Sequence, residues 1–209
     1  PWGSRPDMAR VKRLEGSVAL LPLLRKQVEI TRLVLVEPDV LLETDAKGVG
    51  NWVFKPPAAA KPGAGDESGG VEVDLHGAAI DRGQLAWRDG AKKESLRLAI
   101  QRLRLDRKTL GDELNVDLAA AFRDQPFTLK GSMGLIRRLL AKDSSWPADL
   151  AFATAGATIN VTGSIDFSAK LPRLDGELKA EVKDAAGLAK LSGGPLALPV
   201  PLTLTAKAK

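Results

Sequence analysis

A chain of 209 residues has room for one large domain or two small ones, and 44% apolar with 27% charged residues is a foldable composition rather than a disordered one. It carries no Cys and a single His, which removes disulfides, thiolate chemistry and multi-histidine metal sites. The 31 basic and 26 acidic residues are well mixed, and their balance of +5 gives only a weak pull toward anionic partners.

No apolar run approaches the roughly 18 residues that a membrane helix requires. The longest, Val18 to Leu24, is short and holds Pro22. The chain opens on Pro1 rather than Met, so a preceding segment, with any signal or anchor it carries, is expected upstream.

Val28 to Thr44, VEITRLVLVEPDVLLET, alternates with period two. Val28 and Ile30 stand against Glu29 and Thr31; Leu33 and Leu35 follow after a one-residue slip; Val40 and Leu42 continue beyond Pro38-Asp39. Period two is a sheet signal, and Pro38, which lacks a ladder donor, belongs at an edge, a bulge or a junction. Asp45 to Gly48 reads as a tight turn with Gly48 free to take a positive φ, and Asn51-Trp52 resumes after it. Residues 1–54 thus form a first strand-break-strand unit. Lys55 to Gly70, KPPAAAKPGAGDESGG, has no periodicity and nothing large enough to pack, so 55–70 is a flexible loop.

Val71 to Asp89 repeats the first pattern at a shift of 45 residues: Val28 falls on Val73, Ile30 on Leu75, Leu35 on Ile80, Val40 on Leu85 and Leu42 on Trp87. The break at Pro38-Asp39 falls on Gly83-Gln84. From there 71–209 reads as a continuing sheet. Leu96 to Leu105 alternates with a slip at Arg102, and strands follow at Leu114 to Ala120, Phe127 to Lys130, Asp149 to Ala155, Thr158 to Asp166, Gly176 to Lys183 and Leu202 to Lys207. Strands every 10 to 15 residues suggest an antiparallel meander rather than a βαβ series. Short helices are expected near 134–142 and 184–191, the second capped by Asp184 and closed by Ser192-Gly193-Gly194.

No catalytic constellation emerges. Ser17, Ser95, Ser132 and Ser164 have only His76 as a histidine partner, and none lies in a GxSxG. Asp81, Asp89, Asp106 and Asp112 lie near strand ends, where turn duty accounts for them. The basic clusters Arg102 to Lys108 and Arg137-Arg138 are short, interleaved with Leu and without stacking aromatics, so nucleic acid is not expected as a partner. The expectation is a protein that is not an enzyme, with no cofactor and no metal.

The fold class is mainly β: a repeated, curved antiparallel sheet forming an open groove, with one or two short helices. One parity of its strands is aliphatic and the other charged. Either a helix or second sheet fills the aliphatic face, or that face is left open to an apolar ligand. Strands of about six residues span roughly 20 Å, wide enough to cradle an acyl chain. In the open case Ile30, Leu75, Leu98, Ile100, Val116, Ile165 and Val182 are candidates for lining the groove. Pro38, Gly48, Asn51, Trp52, Gly83, Trp87 and Trp146 are expected to be architectural; Trp52 would close one end of the sheet with its indole N–H on a carbonyl, and Trp87 would do the same in the second unit.

The run Leu20 to Leu24, Val28-Glu29-Ile30, Leu33, Leu35, Pro38, Leu42-Glu43, Asp45 and Gly48-x-Gly50-Asn51-Trp52 resembles the AsmA family of bacterial envelope proteins. Gly83 to Gly90, Pro126-Phe127 with Gly131, Trp146-Pro147, and the passage from Asp184 through Pro195 and Pro201 to Thr205 continue the resemblance in order. It implies a periplasmic protein tethered to the inner membrane by an N-terminal helix that this sequence lacks. Similarity to bridge-like lipid-transfer proteins implies a hydrophobic β-groove, phospholipid as partner, and a role in phospholipid transport between inner and outer membranes and in outer-membrane biogenesis. The alternative is a periplasmic scaffold that binds envelope proteins through exposed sheet edges.

Overall fold

The computed structural model describes residues 3–19, 28–52, 73–75, 77–107, 113–135, 145–168 and 172–208. The strands are β1 (Ala9–Arg10), β2 (Arg13–Val18), β3 (Val28–Val36), β4 (Asp39–Thr44), β5 (Val73–Leu75), β6 (Gly77–Asp89), β7 (Glu94–Arg107), β8 (Glu113–Phe122), β9 (Gln125–Gly134), β10 (Trp146–Thr154), β11 (Ala157–Asp166), β12 (Arg173–Val182) and β13 (Leu202–Ala208). All thirteen belong to one open sheet. β1 pairs with β4 and β2 with β3; these neighbour β5 and β6, after which β7 to β13 follow in sequence order.

From β6 to β13 every pairing is antiparallel, as expected. The expectation of a purely antiparallel sheet is corrected at one place: β3 and β4 run parallel to β5 and β6. The 45-residue repeat is this pairing. Val28 lies beside Val73, Leu35 beside Ile80, Val40 beside Leu85 and Leu42 beside Trp87. The two units are adjacent copies of one strand rather than arms of a hairpin. A parallel pair needs a crossover of a dozen residues or more, which residues 45–72 supply.

The break in each unit is a bulge at the same position. Glu37 (φ 51°) and Arg82 (φ 53°) both enter the left-handed region, which side chains other than Gly seldom adopt. Gly83 is required beside the first bulge: a Cβ there would come within 2.8 Å of Ile80 and 3.0 Å of Pro38. Pro38 is buried at the junction, its carbonyl accepting from the Gln84 amide at 2.7 Å. In β7 the register slips between Ile100 and Arg102, so the extra residue is Gln101, one position before the slip expected at Arg102. An ion-paired row, Lys12 to Glu37 at 3.1 Å and Arg82 to Glu37 at 2.9 Å, links the β1–β2 and β3–β4 junctions to β6.

The described residues contain one helix, α1 (Ala186–Ser192). The helix starts later than expected: its N-cap is Ala185 rather than Asp184, whose carboxylate accepts from the Ala186 amide at 2.9 Å. Gly193 (φ 85°) closes the helix in the left-handed conformation, as expected from the sequence. α1 lies against the β10–β11 turn, where a Cβ on Gly187 would be 2.5 Å from the Ala155 carbonyl oxygen. The helix expected near 134–142 falls mostly outside the described residues, as do the loop 55–70 and His76; Gly134 itself ends β9.

Candidate functional site: the apolar face of the sheet

Residues paired across neighbouring strands point to the same face of a sheet, so the register assigns every side chain to one face or the other. One row runs Leu14, Leu35, Ile80, Leu103, Leu118, Leu129, Phe152, Ile159, Ala180, Leu204, from the β2 edge to the β13 edge without a polar residue. The next row on the same face is Gly16, Leu33, Ala78, Leu105, Val116, Gly131, Leu150, Val161, Leu178, Ala206. Nine strand spacings of about 4.8 Å make each row about 43 Å long. The row between them, on the opposite face, contains Arg104, Asp117, Lys130, Ala151, Asn160, Lys179 and Thr205 from β7 onward.

The apolar face is only partly covered. Leu35, Ile80, Leu103, Leu118, Leu129, Phe152 and Ile159 are all half-buried, while Leu14 is 62% and Leu204 45% exposed at the two edges. No large side chain among the described residues is fully buried. On this face Leu105, Leu114, Val116, Ala120, Ala148 and Val182 are buried. A second group, Val34, Val36 and Ala79, packs on the other face of β3 and β6.

Six of the seven expected groove candidates fall on the apolar face. Ile30 is half-buried and pairs with Val18 and Leu75; the register alone places Leu75. Leu98 pairs with Phe122 and Ile100 with Ala120, which alternate with Leu118 on β8. Val116 lies in the second row, Ile165 pairs with Trp146 and Leu174, and Val182 pairs with Ala157 and Leu202.

The architectural expectations divide. Gly48 (φ 80°) makes the turn, its amide donating to the Asp45 carbonyl at 3.0 Å. The buried Asn51 side chain bridges β4, accepting from the Glu43 amide at 3.1 Å and donating to the Leu41 carbonyl at 2.9 Å. Trp52 does not close the sheet: it is 41% exposed and its ring rests over Gly50. Trp87 lies two residues before the end of β6, between Leu42 and Leu96. The end-closing role belongs to Trp146, 5% exposed, which donates from its indole to the Leu135 carbonyl at 3.3 Å and meets Phe167 edge-on at 5.9 Å.

The polar face carries a cluster that alternation alone does not reveal. Glu43 is 5% exposed and accepts from the Ser4 amide at 2.6 Å, from the Ser4 hydroxyl, and from Arg88 at 3.1 Å. Arg5 is tied to the Asp39 carboxylate at 2.7 Å and to its carbonyl at 2.9 Å, so residues 4 and 5 are stapled to β4. Burial would raise the Glu43 carboxyl, but the Ser4 and Arg88 bonds outweigh it and hold the group below its ordinary value. Bonds from Arg82 and then Lys12 lower Glu37, and those from Ser168 lower Asp166. Asp89 does turn duty, accepting from the Ala91 and Lys92 amides, whereas Asp81 lies inside β6 and binds Arg104 at 2.6 Å.

The family model for the AsmA family matches residues 1–185. A curated relative, the AsmA family protein YhjG of Escherichia coli (strain K12), is 22% identical over 91% of this chain and 31% of its own length. The chain therefore spans about a third of that relative. No solved structure matches.

Proposed function

This chain belongs to the AsmA family, and on that premise we propose that it is a section of a bacterial envelope protein that handles lipids, the apolar face of its sheet receiving acyl chains. The observation that carries the reading is the unbroken apolar row from Leu14 to Leu204, left half-open along its length. A core built for packing alone would bury its large side chains; here the aliphatic surface is broad, shallow and poor in aromatics. Such a surface suits a flexible chain, since each buried CH₂ contributes about 0.8 kcal/mol without demanding a fixed ring position. A sixteen-carbon chain gains on the order of 10 kcal/mol gross, before ordering and association costs.

In this reading the protein works in the periplasm, held at the inner membrane by an upstream helix. It carries phospholipid between the inner and outer membranes and performs no covalent chemistry of its own. The charged opposite face keeps the sheet in water. The competing reading, a scaffold joined to protein partners through the sheet edges, draws on the outer sides of β2 and β13, which pair with no other strand among the described residues.

Photocrosslinking separates them. A crosslinking amino acid is placed in the intact protein at Leu118, Leu129 and Ile159, and at their chain neighbours Asp117, Lys130 and Asn160 on the opposite face. Lipid adducts at the first set and not the second are expected. Equal labelling of both sets, or no lipid adduct at either in folded protein, overturns the lipid reading. Protein adducts concentrated at Ser17 and Thr203, on the edge strands, would favour the scaffold.

A further inference from the structure

We propose that the arginine-lined hollow beside the middle of β3, the start of β6 and the end of β7 binds a phosphate ester. The hollow has a volume of about 270 Å³ and is walled by Arg32, Arg104, Arg107, Asp106 and the backbone at Thr31 and Gly77. Three arginines thus line one space together with Asp106, and one of them, Arg104, is also ion-paired with Asp81.

The arginines differ in state. Arg104 is fixed: it donates to the Asp81 carboxylate at 2.6 Å and to the Ile80 and Leu103 carbonyls at 3.2 and 2.9 Å. Its position is therefore set before any ligand arrives, which lowers the ordering cost of binding. Arg32 is exposed and has no carboxylate partner among the described residues, so its fork is available. Arg107 also lines the hollow and has other contacts of its own. A planar fork with paired N–H donors matches two oxygens of a phosphate, which a point charge does not.

Gly77 forms part of the wall; a Cβ there would lie 3.3 Å from the Leu105 carbonyl oxygen and 3.5 Å from the Asp106 carboxylate. Asp106 disfavours a bare, fully charged anion and accepts instead from an amine or hydroxyl carried beside the phosphate. The preferred ligand is accordingly an ester rather than free inorganic phosphate. Ala78, also in the wall, belongs to the apolar row of Leu33 and Leu105, so the hollow borders a position of that row. A lipid headgroup as the source of the ester rests on the function proposed above; the phosphate site itself does not.

Calorimetric titration of the intact protein tests this with three probes: O-phosphoethanolamine, inorganic phosphate, and dihexanoyl phosphatidylethanolamine below its micellar concentration. O-Phosphoethanolamine is expected to bind saturably and more tightly than inorganic phosphate. Arg32→Gln should weaken it about tenfold, the effect of losing one charge-assisted contact. Arg97→Gln, an exposed arginine far along the same face of β7, should leave it unchanged. Tighter binding of the short-chain lipid than of O-phosphoethanolamine assigns a lipid source, and equal binding assigns a soluble ester; both uphold the site. Absence of saturable binding, a preference for inorganic phosphate, or equal loss in the two arginine variants overturns it. Circular dichroism of Arg32→Gln shows whether folding is intact. The crosslinking result on the apolar face stands or falls independently.

Discussion

Replacing Gly163 with alanine separates what the apolar face needs chemically from what it needs of the backbone. Gly163 in β11 sits opposite Gly176 in β12, at φ 143° and 157°. An alanine would keep the face apolar. Its Cβ, however, would lie 2.2 Å from the Asp175 carbonyl oxygen and 2.7 Å from the Gly176 Cα, both backbone atoms with no rotamer to turn away. An ordinary carbon–oxygen contact is about 3.3 Å or more, so the strands must part by about 1 Å at this point. Parting them weakens the adjoining ladder bonds, worth about 1 kcal/mol each, and the positive φ adds about 1–2 kcal/mol for a residue with a Cβ. The expected loss is about 2–4 kcal/mol, or a fall in melting temperature of roughly 5–15 °C for a chain of this size. Gly16→Ala is the matched control, because nothing lies within 4 Å of the added methyl; its change should stay within about 1 kcal/mol. Urea unfolding followed by circular dichroism measures both, and hydrogen exchange should show the first variant loosening β11 and β12. A Gly163→Ala protein within 1 kcal/mol of Gly16→Ala would refute the close approach of these two strands.

The Glu43 carboxyl lies below its ordinary value of 4.5 in the folded protein. The stabilisation it provides is therefore complete above that value and disappears as pH falls through the lower folded-state value. Glu43→Gln should flatten the acid limb of a stability-against-pH curve and expose residues 4–10 to protease; an unchanged limb would remove Glu43 from the staple. Trp146→Phe should cost about 1 kcal/mol for the indole bond to Leu135, and Trp146→Ala about 3–5 kcal/mol. Loss of less than 1 kcal/mol in the alanine variant, measured by the same unfolding assay, would show that this ring does not close the sheet.

Alternation made the faces legible because a strand's side-chain period is two whatever its partner. That is why Ile30, Leu98, Ile100, Val116, Ile165 and Val182 come out on one surface, although they lie in five different strands. Strand direction has no such signature: two identical alternating segments can pair parallel or antiparallel with the same pattern of residues. The 45-residue repeat contained the missing fact. Two copies of one pattern in the same order, sharing a bulge at Glu37 and Arg82, keep their breaks aligned over the whole length only if the copies run parallel. An antiparallel pair would set the break of one against an unbroken stretch of the other unless it fell at the centre. The same shift carries Glu37 onto Arg82 and Glu43 onto Arg88, two acids facing two arginines across the parallel seam. Trp52 and Trp146 were not separable from sequence, since each follows a turn-like segment; burial decides between them, and burial depends on Phe167 and Leu135 arriving from elsewhere in the chain.

The distribution of polar side chains explains how a sheet this wide remains single-layered. From β7 onward the charged face pairs its own neighbours, as Arg102 does with Asp117 at 3.0 Å, and needs no covering layer. Only at β3, β4 and β6 does that face turn apolar, with Val34, Val36, Leu41 and Ala79, and there the stapled residues at Ser4 and Arg5 lie over or beside β4. Among the described residues the other face has no comparable compensation along its length of about 43 Å. Its aliphatic side chains gain free energy from any apolar contact that displaces water. Trp146 closes β10 at one end and α1 abuts the β10–β11 turn at the other, so the length of the strands is bounded while the direction across them stays open. The open direction of this face among the described residues thus runs across the strands, from the Leu14 edge toward the Leu204 edge, which is the direction in which a sheet grows by adding strands.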